Sequence, residues 1–371
     1  MKRVSLLVVI SGALLACIAV AQAPGSGPNK VVKTAKTGGE GGFDYVYADV
    51  DGRRLYIPRS GQPNPRISVF NLDTLTPVGE IPSANARGAA TDTKSSHGFV
   101  SSKPVVMFDT KSLTVIKTIP VDGGPDGILA DPFNQRVYIF SHSAPNATVI
   151  NAVDGSVIGT IDLGGAPEQA VTDGKGHIYV DIEDKDNIAV VDAKTMTVTA
   201  HYDIAGKGGG PGGLAMDVKN NILFASCHSP ATMVILNASN GNILATLPIE
   251  AGTDGAGFNP NTMEAFSSAG NGTLSVIKEN SPTSFVVEQI VQTMPGAKTM
   301  TVDTKNNWVL TMAAEYGPPP APAAAPPAPP AGGPPAGAPG GSGGRGGGRG
   351  RGPGRGPMLP DSFTILAVGL K

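Results

Sequence analysis

The sequence predicts an all-β fold, a seven-bladed β-propeller in which each blade is an antiparallel sheet of four strands. Three observations predict it. A similar unit recurs about every 42 residues, each unit contains four short β-prone segments, and no stretch shows sustained helical periodicity. A period of this length with four strands per unit is typical of propeller blades.

Each unit has the same internal order. A short apolar segment ends at an Asp or Asn turn, and a β-branched or aromatic strand follows, as at 178–180 after Asp173. A third strand and then an outer strand complete the unit, joined by turns such as Asp154-Gly155. The turn residues are Asp49, Asp92, Asp131, Asp173, Asp217, Asn259 and Asp303, at steps of 43, 39, 42, 44, 42 and 44 residues.

The two ends of the chain predict how the ring closes. The seventh unit has predicted strands at 298–302, 308–312 and 363–368 but no fourth strand, while 31–37 resembles an outer strand without a unit of its own. Pairing 31–37 with 363–368 would complete the seventh blade and remove exposed sheet edges. We therefore predict one propeller domain over 29–371.

A low-complexity insert interrupts the seventh unit. Residues 317–357 are almost entirely Pro, Ala and Gly, a composition that cannot bury a core and predicts disorder. One interpretation is a tether for a polyanion such as nucleic acid, and the other is a tolerated repeat expansion. We favour the second, because four arginines supply only modest, salt-sensitive affinity. Those arginines are Arg345, Arg349, Arg351 and Arg355.

The first 21 residues have the pattern of a cleaved secretory signal: a basic head, an apolar run and small residues before a cleavage point after Ala21. The alternative is a lipoprotein signal with Cys17 as the lipidated residue. No other segment is long and apolar enough to span a bilayer, so we expect an exported protein, periplasmic or extracellular, without a membrane span after cleavage. Cys227 is the only other cysteine, which excludes an intrachain disulfide in the mature chain and a cysteine-based metal centre.

The charge is unevenly distributed. The whole chain has 28 basic and 30 acidic residues, and without Lys2, Arg3 and the four arginines of the insert the count is 22 against 30. An acidic body argues against binding of nucleic acid or anionic membranes over the general surface.

The residues Tyr179-Val180-Asp181 and Tyr138-Ile139-Phe140, with the downstream segment 190–195, resemble the YVTN repeat of YncE-like propellers. The resemblance covers roughly residues 30–316 and 359–371. It implies a seven-bladed propeller, and because YncE-like relatives are associated with DNA binding it also implies that partner. Propellers of similar build include lactonases and other hydrolases, some with a metal at the mouth of the central channel.

One position in each unit should face the mouth of the channel. The loops that enter the innermost strands share one face of a propeller, so we counted five residues back from each turn residue. The positions are Asp44, Arg87, Asp126, Glu168, Gly212, Asp254 and Lys298. They predict either a site for a polar ligand or cation or a structural network of ion pairs, and we favour the network. If a cation binds, the oxygen donors of these side chains suit calcium or magnesium. We predict no resident cofactor, with a divalent cation as the alternative.

The loops after the second strands open on the same face. They contribute secondary candidates, namely His142, Glu183, Asp184 and His228. The fourth blade separates the two histidines, so we interpret them as polar loop residues without a shared metal.

These observations favour a monomeric, non-enzymatic scaffold that binds a small polar ligand or a protein partner through the channel-mouth face. One alternative is a hydrolase or lactonase-like enzyme with a metal at the mouth. The other is a protein that binds DNA or another polyanion through the Arg-Gly insert.

Overall fold

The computed structural model describes residues 27–61, 64–318 and 356–370. They form 28 strands in seven antiparallel sheets of four, which confirms the predicted β-propeller. The first strand of each sheet contacts the first strands of both neighbouring sheets, so the innermost strands make a complete circle.

The strands of blades one to three, from the channel outwards, are as follows. Blade one has β2 (Tyr47–Asp49), β3 (Arg54–Arg59), β4 (Arg66–Asn71) and β5 (Pro77–Pro82). Blade two has β6 (Gly88–Asp92), β7 (His97–Ser101), β8 (Val105–Asp109) and β9 (Val115–Ile119). Blade three has β10 (Pro125–Asp131), β11 (Arg136–Ser141), β12 (Ala147–Asn151) and β13 (Val157–Ile161).

Blades four to six follow the same order. Blade four has β14 (Pro167–Thr172), β15 (His177–Ile182), β16 (Asn187–Asp192) and β17 (Thr197–Asp203), with a single 3₁₀ turn at Glu183–Lys185. Blade five has β18 (Pro211–Asp217), β19 (Ile222–His228), β20 (Ala231–Asn237) and β21 (Ile243–Pro248). Blade six has β22 (Thr253–Asn259), β23 (Glu264–Ala269), β24 (Thr273–Ser281) and β25 (Ser284–Gln292).

Blade seven contains both ends of the described chain. It has β26 (Met300–Asp303), β27 (Trp308–Ala313), β28 (Thr364–Leu370) and, as its outer strand, β1 (Asn29–Lys36). The antiparallel pairing places Val31 opposite Val368 and Lys36 opposite Thr364. The predicted closure is therefore confirmed, with each strand displaced by one or two residues from its expected bounds.

The closing strand is also attached to blade six. The side chain of Gln289 accepts a hydrogen bond from the Asn29 amide at 2.9 Å and donates one to the Asn29 carbonyl at 2.7 Å. Gln289 is 1% exposed, so these bonds are shielded from water.

The hydrophobic core lies between neighbouring blades. Tyr138 and Phe140 of blade three, for example, pack with Ile178 and Val180 of blade four. The second strands of blades two, five, six and seven lack the tyrosine of the repeat, and buried Phe99, Phe224 and Phe266 stand in those of blades two, five and six. Because each blade buries one face on each neighbour, the geometry that brings the first strands around the channel is repeated seven times.

Candidate functional site at the channel mouth

The six charged positions chosen from the sequence all line one cavity of about 260 Å³. The cavity lies at the start of the innermost strands, above a channel of about 380 Å³ that is lined largely by Ala, Val, Leu and Met of the first strands. Tyr45 and Glu168 line both spaces. The full cavity lining is Asp44, Tyr45, Arg87, Asp126, His142, Glu168, Glu183, Asp254, Lys298 and Thr299.

The two cations of the ring each engage a carboxylate. Arg87 Nη1 lies 3.0 Å from Asp44 Oδ2, and Lys298 Nζ lies 2.5 Å from Asp254 Oδ2. Lys298 precedes β26, which begins at Met300 and not at the predicted residue 298. This part of the mouth is the ion-pair network that the sequence allowed as a structural interpretation.

The remaining carboxylates gather around a histidine. His142 Nε2 lies 3.7 Å from Asp126 Oδ2 and 3.7 Å from Glu168 Oε2, which is longer than a hydrogen bond. One donor atom from each of the three residues lies within 4.8 Å of the others. Tyr45 donates a hydrogen bond from its hydroxyl to Glu168 Oε2, and Arg87 Nε lies 3.9 Å from Asp126 Oδ1.

Local backbone structure brings these three side chains together. A Cβ atom on Gly127 would lie 2.7 Å from the Glu168 carbonyl oxygen, so only glycine permits this approach of blades three and four. The hydroxyl of Ser141, the last residue of β11, accepts a hydrogen bond from Gly124 N at 2.8 Å and donates one to the Ser143 carbonyl at 2.7 Å. It thereby joins the loop before Asp126 to the loop that carries His142.

Burial and mutual repulsion perturb the acids of the mouth. Burial, helped by the nearby charges of Asp44 and Glu168, raises the pKa of Asp126 to about 7. Burial also raises the pKa of Asp254 to about 7 against the opposing effect of Lys298. The interaction with Glu168 raises the pKa of His142 to about 9, although burial opposes it. Burial and the neighbouring carboxylates thus both disfavour ionisation of Asp126 and Asp254.

The secondary loop candidates differ in whether they line the cavity. Glu183 lines the cavity, whereas Asp184 does not, because its Oδ1 accepts a hydrogen bond from Ala166 N at 2.7 Å in the loop between blades three and four. His228 lies over Gly212, the one ring position without a side chain: its Nε2 is 2.6 Å from where a Cβ on that glycine would be. Among the described residues, the three-residue cluster at the mouth does not include His228.

Cys227 is fully buried, and burial raises the pKa of its thiol to about 12. A buried thiol with a raised pKa is held in its protonated, weakly nucleophilic form.

Sequence reasoning missed Tyr45, Thr299 and the association of His142 with Asp126 and Glu168. Tyr45 and Thr299 each directly follow a ring position, so including the residue after each ring position would have found both. His142 comes from a different loop, and nothing in the seven-fold repeat indicates which way its side chain points.

Several predictions fall outside the described residues. These are the signal at 1–21, the lipidation alternative at Cys17, and Arg345, Arg349, Arg351 and Arg355 of the insert. The described flanks of the insert pair with each other: Gly317 N donates to the Pro357 carbonyl at 2.9 Å and Leu359 N to the Glu315 carbonyl at 2.8 Å. Within the described part of the chain, no helix has the length and apolar character needed to cross a membrane.

Comparisons with known proteins establish the fold alone. No family model matches the sequence, and no curated protein matches it. Among solved structures, hydrazine synthase of Kuenenia stuttgartiensis has a TM-score of 0.63 at 12% identity, covering 73% of this chain and 92% of that one. A structure of U3-55K has a TM-score of 0.62 at 10% identity, covering 78% and 92%. The WD40 repeats of RRP9 have a TM-score of 0.62 at 10% identity, covering 78% and 91%.

Proposed function

We propose that this protein is an exported, YVTN-type binding propeller whose channel-mouth cavity takes a small, positively charged ligand. The observation that carries the proposal is the convergence of charged side chains from six of the seven blades on one cavity of about 260 Å³. Drug-sized ligands occupy pockets of roughly 300–1,000 Å³, so a space of this size suits a ligand of few atoms.

The charged groups that line the cavity indicate a positively charged ligand. Five carboxyl groups line it, against the two fixed cations Arg87 and Lys298 and the imidazole of His142. Arg87 and Lys298 pair closely with Asp44 and Asp254, which leaves the blade three and four side of the mouth dominated by Asp126 and Glu168. Burial is the main cause of the raised pKa of Asp126, and repulsion from Asp44 and Glu168 adds to it. A cation that entered there would offset this repulsion.

Export and YVTN-type ancestry are supported by the sequence. The N-terminal basic and apolar pattern supports export, and the tyrosines of the repeat support the ancestry, since Tyr138 and Tyr179 are buried at equivalent places in blades three and four. In a propeller that binds its ligand at the channel mouth, the blades act as a rigid frame and the loops supply the specificity.

Isothermal titration with agmatine and putrescine tests the proposal, because both are small dications. We expect saturable binding to the full chain, with at least a tenfold loss of affinity in Glu168→Gln, since a charged hydrogen bond contributes about 1.5–3 kcal/mol. Asp162→Asn is the matched control, because Asp162 is exposed in a loop outside the cavity. Succinate is the anionic counterpart and should not compete. The proposal is wrong if neither these dications nor divalent metal ions bind, or if succinate binds more tightly than they do.

A further inference from the structure

We propose that Asp126, His142 and Glu168 form a binding site for one divalent first-row transition-metal ion at the channel mouth. The inference deepens the proposed function, on which it rests, by naming a metal ion as the cation that the mouth takes. Among the described residues, this is the cluster in which imidazole and carboxylate donors come close enough for one ion.

The distances fit a metal better than direct contacts between the side chains. His142 Nε2 is 3.7 Å from a carboxylate oxygen of each neighbour, too far for hydrogen bonds, and the third separation is within 4.8 Å. An ion equidistant from three atoms at this spacing would lie about 2.1–2.4 Å from each. Zinc bonds to nitrogen and oxygen are about 2.0–2.2 Å long, so the donors need to move only a few tenths of an ångström.

The donor set indicates the class of metal. An imidazole nitrogen with two carboxylate oxygens suits zinc, cobalt or manganese, whereas calcium and magnesium prefer oxygen alone. Three protein ligands leave further coordination positions open, and these would face the cavity.

Two neighbouring groups are placed to support such a site. Tyr45 donates its hydroxyl hydrogen to Glu168 Oε2, a contact that orients the carboxylate as outer-shell hydrogen bonds orient metal ligands. Asp126 Oδ1 is buried and has no hydrogen-bond partner among the described residues, and Arg87 Nε lies 3.9 Å from it.

The test is metal binding to chelator-treated full-length protein. Equilibrium dialysis with zinc and the visible absorption of the cobalt complex should each show one ion per chain. His142→Gln should weaken zinc binding by at least tenfold and change the cobalt spectrum. Calcium and magnesium should bind at least tenfold more weakly than zinc.

His177→Gln is the matched control. His177 Nδ1 lies 2.9 Å from Asp173 Oδ2, so it presents a histidine–carboxylate pair at the other end of the first strands. Removing it should leave zinc affinity and the cobalt spectrum unchanged. Circular dichroism checks that each variant is folded, and Glu168→Gln is a second variant should His142→Gln fail to fold.

The outcomes separate the inference from the proposed function. Zinc binding that His142→Gln and Glu168→Gln leave intact, or that His177→Gln abolishes, would overturn the metal site. If agmatine binds at the mouth but zinc and cobalt do not, the proposed function stands and the metal site is wrong. If no cation binds, both are wrong.

Discussion

Asp181 offers a prediction whose size follows from its surroundings. The side chain is 0% exposed in β15, its Oδ1 accepts a hydrogen bond from Gln169 N at 2.6 Å, and its Oδ2 has no hydrogen-bond partner among the described residues. Burial, reinforced by the charge of Glu168, raises its pKa well above the ordinary value. The folded protein therefore keeps a proton on this carboxyl over a pH range in which the unfolded chain has already released it.

The sign of the effect on stability follows from the raised pKa. The contribution of Asp181 to the free energy of unfolding is fully present below the unfolded-state pKa of about 3.9 and is lost as the pH rises toward the folded-state value. The loss is about 1.4 kcal/mol for each pH unit over which the folded protein keeps the proton. Asp181→Asn keeps the oxygen that accepts from Gln169 N and has no carboxyl proton to retain. Its free energy of unfolding relative to the natural protein should therefore rise by about 1.4 kcal/mol for each pH unit over which the natural protein keeps the proton.

The assay is urea unfolding at pH 5, 6 and 7, followed by the fluorescence of Trp308, the only tryptophan. Asp162→Asn removes an exposed carboxyl and controls for the change in net charge. A difference in unfolding free energy between Asp181→Asn and the natural protein that stays constant across these pH values would refute the reasoning.

Three further predictions concern the frame that holds the site. Gln169→Leu should destabilise the protein by about 2–4 kcal/mol in urea unfolding, because Gln169 Oε1 accepts from Leu214 N at 3.1 Å and from Ala256 N at 3.2 Å, and its Nε2 donates to the Ala256 carbonyl at 3.2 Å. Gln169→Glu keeps the accepting oxygen and loses only the donated bond, so it should destabilise less, and equal losses would contradict this explanation. Gly127→Ala should lower the free energy of unfolding by about 1–3 kcal/mol and weaken zinc binding, since the new Cβ would lie 2.7 Å from the Glu168 carbonyl oxygen. Unchanged stability and zinc affinity would show that blades three and four do not approach each other this closely. The double substitution Ala35→Cys and Ile365→Cys should form a disulfide and raise the melting temperature, because these residues lie opposite each other in β1 and β28. Thiols that remain free under oxidising conditions would contradict the closure of the ring by β1.

The fold could be predicted from the sequence because it is repeated. A single unit such as 167–203 would be ambiguous, but the Asp or Asn turn recurs seven times at nearly constant spacing. The closing strand was predictable for a related reason: the seventh blade lacked a strand, and only 31–37 was left to supply it. The exact bounds were not predicted, since β1 begins at Asn29, which also bonds to Gln289 of blade six, a contact that the local pattern does not indicate.

The candidate site was predictable in part. Counting back from the turns identified the charged ring because every blade enters its first strand in the same way. The count could not indicate that His142 turns between Asp126 and Glu168, or that His228 covers Gly212, because both histidines come from loops whose paths differ from blade to blade. Those contacts depend on packing between blades, as at Gly127, and not on the period.

The most direct test of a cation site at the channel mouth is the anomalous diffraction of crystals soaked in zinc, measured on both sides of the zinc absorption edge. We expect one strong peak about 2.0–2.4 Å from donor atoms of Asp126, His142 and Glu168, and no peak there in His142→Gln crystals. A well-ordered mouth without zinc density, with zinc bound only elsewhere, would contradict this expectation.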